Sequence, residues 1–372
     1  MTARRFAALL LALALLSGCS WMDGSYVSVT PHQVGPNQTA SQNTRTIKTY
    51  TELRSALVEL IDAGSDKGLF SLADYPREDI AWDMERAVHY VTNSYPIGAY
   101  AVESIDYDLG TGLGAIALSV DISYRHSREK IESIRTVRWT SGAERAIADA
   151  LNESAQVLIL QITGYQDTDF VEIVQEYARS NPDRVMEIPT VDVQVFPNWG
   201  DTRVLELTFS YQTDRDRLRT MREQVQPVFS SAALYVSGQA DDHTKFSQLH
   251  TFLMERFDYT IEPTATPAYS LLCQGIGDSR AFSLVYAAMC HRIELEALCV
   301  SGTRNGEAHW WNLIRIDGAW YHLDLLASRQ FQPMTDGEMT AYDWDETGCE
   351  LAEWATSQAD MADYAEPPEN YD

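Results

Sequence analysis

The chain has 372 residues, 45% of them hydrophobic, and a formal net charge of −26. That is enough apolar material for a substantial core and for two or three domains. With 54 acidic residues against 28 basic ones, the surface repels nucleic acid and anionic lipid headgroups, so no nucleic-acid partner is expected.

Residues 1–19 read as a signal peptide. Arg4 and Arg5 form a charged start, and Phe6 to Leu16 is an apolar stretch too short to span a bilayer. It ends in "LSGC", which resembles the lipobox of bacterial lipoproteins. That resemblance implies that Cys19 is lipidated and holds the protein at the outer face of the bacterial cytoplasmic membrane. Residues 20–44, rich in Ser, Thr, Gln, Asn, Pro and Gly, read as a flexible tether.

Residues 45–135 and 136–224 read as two copies of one α+β module. "GLFSLADYPREDIAWDMERAVHYVTNSYP" lies over "VLILQITGYQDTDFVEIVQEYARSNP", with Tyr75 matching Tyr165 and Pro96 matching Pro182. Each copy continues as a strand, a turn and a second strand, giving a β-α-β-β pattern. Alternation in "LSVDISY" and "LELTFSY" predicts half-buried strands. Ile80, Met84 and Val88 share a helix face and read as core. Neither copy carries a phosphate loop, a metal-ligand spacing or an isolated carboxylate pair, so no cofactor is expected.

From residue 225 the pattern changes. "PVFSSAALYV" and "HTKFSQLHTFLMERFDY" are helical, the second with Asp241, Asp242 or Thr244 as a candidate cap. "TIEPTATPAYSLLCQG" is extended and runs into a short helix. In "GIGDSRAFSLVY", Asp278 or Ser279 is a good N-cap, followed by Phe282, Val285, Tyr286 and Met289 at helical spacing. Ser279 therefore sits at the first turn of a buried helix, where unpaired N–H groups favour negative charge. "HWWNLIRI" and "AWYHLDLL" flank Asp317-Gly318, a two-residue hairpin signal. That turn sets His309 opposite Leu326 and makes Asp324 its diagonal neighbour on the same face.

"GIGDSRAFSLVYAAMCHRIELEALCVSG…HWWNLIRIDGAWYHLDL" resembles the transglutaminase-like core, a branch of the papain-like thiol hydrolases. The resemblance covers roughly residues 240–326 and implies a papain-like α+β domain within 225–335. His309, Trp311 and Asn312 match the histidine motif of that family, and Trp320, Tyr321 and Asp324 its aspartate motif. Ser279 stands where the family has its nucleophilic Cys, and Leu325 and Leu326 follow Asp324 in place of a Trp. A second alignment uses Cys273, because "CQG" imitates the family's Cys-x-Gly. A thiol at a helix start beside an imidazole ionises near neutral pH, whereas a hydroxyl needs a well-placed base.

The whole chain therefore reads as α+β, two β-α-β-β modules followed by a transglutaminase-like domain. Two activities stay open. One is a domain without chemistry that binds peptide or cell-wall material. The other is a hydrolase of peptide or peptidoglycan-associated amide or ester bonds, in which Ser279 attacks, His309 is the base and Asp324 orients it. Trp310, Trp311 and Trp320 are candidates to line a groove. Cys273, Cys290, Cys299 and Cys349 are even in number, leaving both disulfides and buried free thiols open. A zinc site at Cys290, His291 and Cys299 lacks any CxxC pair and is not expected. Residues 336–372 read as an acidic tail with a disordered ending, and the oligomeric state is left open.

Overall fold

Apolar residues at positions 53, 56, 57 and 61 recur at helical spacing, and they mark the first element of the computed structural model, which describes residues 45–112 and 115–344. The segments read as signal peptide and tether, with Cys19, and also Cys349 and the chain ending, lie outside the described residues. Helix α1 (Tyr50–Asp62), which the sequence reading did not anticipate, opens on Thr49, whose side chain accepts from the Glu52 N–H. Strand β1 (Lys67–Ser71), helices α2 (Ile80–Asn93) and α3 (Pro96–Ala101), and strands β2 (Val102–Gly112) and β3 (Ala115–Tyr124) follow. The sheet runs β1-β3-β2, antiparallel throughout. Leu57 and Ile61 of α1 and Met84 and Val91 of α2 pack on Leu118 and Val120 of β3. Ile80 is buried with them, and Val88 is half-buried at the edge.

A short helix α4 (Arg128–Glu132) leads to strand β4 (Arg135–Arg138), helix α5 (Trp139–Asn152), strand β5 (Val157–Thr163), helix α6 (Phe170–Ser180) and strands β6 (Thr190–Phe196) and β7 (Thr202–Ser210). Their order is β4-β5-β7-β6, with β4 and β5 parallel and the other pairs antiparallel. The parallel pair needs a crossover, which α5 supplies. Ile147 and Leu151 of α5 and Val174 of α6 fill the core against Leu160, Leu205 and Leu207.

A buried polar clasp ties the second sheet to helices α3 and α4. Glu206 on β7 is only 6% exposed. It accepts from Tyr100 Oη at 2.5 Å and Lys130 Nζ at 2.7 Å. A buried carboxylate without such partners would cost several kcal/mol. His126 stacks on Tyr100 with ring centroids 4.3 Å apart.

The remaining chain is one helix-and-sheet layer pair. Helix α7 (Arg215–Tyr235) and helix α8 (Asp242–Met254) precede a minimal strand β8 (Asp258–Tyr259). Helix α9 (Pro267–Tyr269) continues as a π-helical turn over Ser270–Gln274, and strand β9 (Ile276–Gly277) pairs in parallel with β8. Asp241 caps α8, accepting from the Thr244 N–H at 2.7 Å. Helix α10 (Ser279–His291) is buried from Ala281 to Cys290. It packs against strands β10 (Ala297–Arg304) and β11 (Glu307–Ile316), with Leu323 of strand β12 (Ala319–Leu323) in the same core. Residues 336–344, read as tail, instead return to the fold, where strand β13 (Tyr342–Trp344) adds to the far side of β10. The order is β12-β11-β10-β13. β13 passes so close that a Cβ on Gly302 would lie 2.3 Å from the Asp343 carbonyl oxygen, so only glycine fits there. Local chemistry misses this strand because its partner lies 40 residues upstream.

Burial, with Lys130 and Arg125 nearby, pushes the His126 imidazole below its ordinary 6.5, while Glu206 pulls the other way. A folded-state value below the unfolded one means the neutral form stabilises the fold, and this contribution is lost as pH falls through that range. Urea midpoints should therefore drop between about pH 8 and about pH 5.5, and His126→Phe, which keeps the stack, should flatten that slope. Identical slopes in the two proteins would rule the clasp out as the origin.

Candidate active site

Asp278, not Ser279, is the cap of α10, its Oδ1 accepting from the Ala281 N–H at 2.9 Å. Ser279 is the first helical residue and is 8% exposed. Gly277 lets β9 run in close, since a Cβ there would stand 2.8 Å from the Ala281 Cβ. Ser279 is thus fixed between a cap and a tight approach. Its Oγ accepts from the Trp310 backbone N–H of β11 at 3.2 Å.

The β11–β12 hairpin closes at Asp317 (φ 51) and Gly318 (φ 87), both left-handed, as a two-residue turn requires. Ile316 pairs with Ala319 and Asn312 with Leu323. Extending that register brings Asp324 beside His309, and His309 Nε2 meets Asp324 Oδ2 at 2.9 Å. His309 is 8% and Asp324 4% exposed.

Asp324 has more partners than His309. Its Oδ2 also accepts from Tyr342 Oη at 2.8 Å and pairs with an Arg304 guanidinium nitrogen at 3.1 Å. Its Oδ1 accepts from the Leu326 N–H at 2.9 Å. Burial alone would raise the Asp324 carboxyl, but the hydrogen bonds from His309, Tyr342 and Leu326 outweigh it and hold the group below its ordinary value. Tyr342 moves the opposite way, pushed up by burial and then by its bond to that carboxylate.

His309 and Asp324 are therefore joined, while no hydrogen bond links Ser279 to His309. The serine oxygen is engaged by the backbone one residue past the histidine. Of the three candidate groove residues, Trp311 is fully buried and Trp320 is 3% exposed. Both belong to a small core with Val300, Leu313 and Met339 on the sheet face away from α10; Trp320 only edges a separate concavity beside Leu295 and Leu298, which Ser279 and His309 do not line. Trp310, half-buried, alternates to the other face and carries the Arg280 guanidinium 5.7 Å above its ring. Trp311 donates through Nε1 to His322 Nδ1 at 2.9 Å, and His322 Nε2 meets Asp336 at 2.8 Å. This second His–Asp pair has both ring nitrogens engaged and anchors the returning chain.

The Cys273 alignment finds no support in the geometry. Cys273 is exposed on the π-helical turn, and the partial desolvation of its thiol raises the pKa where a nucleophile needs it lowered. Cys290 and Cys299 are free thiols, raised by burial, Cys299 to about 11. No cluster of three or more metal-ligating side chains occurs among the described residues. Asn312, from the histidine motif, serves packing, donating to the Ser283 carbonyl of α10 at 2.9 Å. The sequence reading missed Arg304 and Tyr342. The alternating aromatics of "AYDW" were the available signal for Tyr342, while an isolated Arg at a strand end carried none.

Residues 230–325 match the family model of the transglutaminase-like superfamily. Among curated proteins none matches the chain. Solved structures similar to it include a TGase at 11% identity and a TM-score of 0.26, the alignment covering 45% of this chain and 50% of that one. A candidate cysteine protease from Cytophaga hutchinsonii aligns at 12% identity and 0.26, covering 44% and 70%. A candidate protease from Parabacteroides distasonis aligns at 8% and 0.23, covering 69% and 39%. The chain thus spans half the length of the first of these, and likenesses at this level say nothing about activity. Residues 230–325 are thus similar to transglutaminase-like domains, within a mixed α+β chain whose first two sheets and last strand lie outside that match.

Proposed function

We propose that the protein is a lipoprotein, anchored through Cys19 at the outer face of the membrane, whose transglutaminase-like domain binds peptide or cell-wall material without turning it over. The observation that carries this reading is the engagement of Ser279. Its Oγ is held by the Trp310 N–H at 3.2 Å and makes no hydrogen bond to His309. A serine nucleophile needs a base in hydrogen-bond reach, and a displacement of about 1 Å can cost about 100-fold in rate. Arg304 adds to this, because its charge already compensates the carboxylate that would otherwise stabilise an imidazolium. The two sheets before the domain, each with a helix set between its paired strands, are read as related spacer or binding modules on the tether.

The intact His309–Asp324 pair favours one alternative, a Ser-His-Asp hydrolase. There Ser279 attacks an acyl carbon as His309 takes its proton, and His309 then returns the proton to the leaving group while Asp324 holds the ring. A fluorophosphonate probe separates the two readings. We expect labelling of the wild type no greater than that of Ser279→Ala, and unchanged retention of cell-wall peptide by that variant. Selective labelling of the wild type would establish the hydrolase.

The role given to Arg304 has its own test. In a Cys273→Ser background, Ser279→Cys installs the family's thiol. We expect slow alkylation by iodoacetamide, and about tenfold faster reaction when Arg304→Gln is added, because an opposite charge within 4–6 Å shifts such equilibria by a unit or more. Equal rates would show that Arg304 does not restrain the pair.

A further inference from the structure

Outside the candidate site, a strongly charged concavity among the described residues lies where the start of helix α7 meets the end of α5. It is a cleft of about 210 Å³. Arg184 from the loop after α6 and Arg215, Arg219 and Arg222 from α7 line it, against Glu153 and Asp216. Four guanidinium groups facing two carboxylates leave a surplus of two positive charges, in a chain whose net charge is −26. Arginine stays ionised under all relevant conditions, so the surplus is permanent.

The four arginines are not equivalent. Arg215 Nε donates to the Glu153 carbonyl at 3.0 Å, and Arg222 donates to the Asn152 carbonyl. Those are terminal carbonyls of α5, and two cations there answer the negative end of its dipole. Arg219 meets only Asp216, at 3.2 Å, in an exposed pair that contributes little. The Arg184 side chain meets no acceptor among the described residues. Two arginines therefore build the wall, and two others hold free donors over the opening.

We infer that this cleft binds a phosphate group carried by a small soluble ligand. Charge selects phosphate over carboxylate, since a phosphate monoester carries about −1.5 to −2 at neutral pH and a carboxylate only −1. Guanidinium forks also match phosphate oxygens in bidentate geometry. The volume is smaller than the roughly 300–1,000 Å³ typical of drug-sized ligands, so the cleft takes a headgroup and leaves the rest of the ligand in solvent. The strongly acidic remainder of the surface repels an anionic bilayer, which favours a free ligand over a lipid headgroup. The site stands apart from Ser279 and is independent of whether that residue is active.

The test is titration of the chain from residue 20 onward, free of the proposed anchor, with inorganic phosphate at constant ionic strength, read by calorimetry and by amide shifts of residues 152–154 and 215–222. Saturable binding is expected, weakened about tenfold by Arg184→Gln and again by Arg219→Gln, as for loss of charged hydrogen bonds. Both side chains are exposed, so the variants should keep the wild-type melting temperature. A parallel arm uses vesicles containing phosphatidic acid. Binding to vesicles without binding to free phosphate would overturn the soluble-ligand assignment. No saturation by phosphate, or saturation unaffected by both substitutions, would overturn the site.

Discussion

A single buried carboxylate organises the C-terminal layer of this protein. Asp324 is 4% exposed and satisfies its two oxygens with an imidazole, a phenol, a guanidinium and a backbone N–H. A charge in that position is tolerable only when fully partnered. The partners come from separate pieces of chain: His309 from β11, Arg304 from the end of β10, Tyr342 from β13 and Leu326 from the turn after β12. Each partner thereby ties its own strand or turn to one carboxylate, across a sheet whose order is β12-β11-β10-β13.

The return of the chain at β13 links this carboxylate to the core beneath it. Gly302 allows the close crossing, and Trp344 then packs against the Trp311 and His322 rings, at 6.0 and 4.9 Å between centroids. Trp311 in turn is tied through His322 to Asp336. A polar relay of this kind is costly if one member is left unsatisfied and rigid when complete. It holds the strap in place and so holds Tyr342 on Asp324. The strap lies beyond residues 230–325, so the match takes in His309 and Arg304 but leaves out Tyr342 and Leu326, the other two partners of Asp324.

Much of this was readable from local chemistry. Asp317-Gly318 dictates a two-residue turn, the turn dictates the register, and the register dictates that His309 and Asp324 share a face. The position of Ser279 in the first turn of a buried helix follows from Asp278 and the spacing of Phe282, Tyr286 and Met289. What local chemistry could not supply were pairings between distant segments. Tyr342 acquires its meaning only once β13 lies on β10. Helix α1 is a different case: Thr49 and the spacing of Leu53, Ala56, Leu57 and Ile61 were local signals that the reading passed over. Trp311 and Trp320 looked like groove aromatics because periodicity tells which face a residue takes, and not what covers that face.

The basic residues show how an acidic chain manages specific contacts. Only four of the 28 are lysine, and the rest are arginine. Lysine is a strongly hydrated point charge, whereas arginine is a weakly hydrated, rigid fork. Against a field set by 54 carboxylates, a mobile cation would be shared among many neighbours, and a directional one can be assigned to one. The assignments are visible: Arg315 grips both oxygens of Glu296 at 3.0 and 3.1 Å, Arg125 meets the Val102 carbonyl, and Arg304 meets Asp324. Arg304 reaches Asp324 through one guanidinium nitrogen, at 3.1 Å, so a lysine there would keep what this contact supplies, a compensating charge. His309, Tyr342 and the Leu326 N–H supply the direction, each through a hydrogen bond to a stated oxygen.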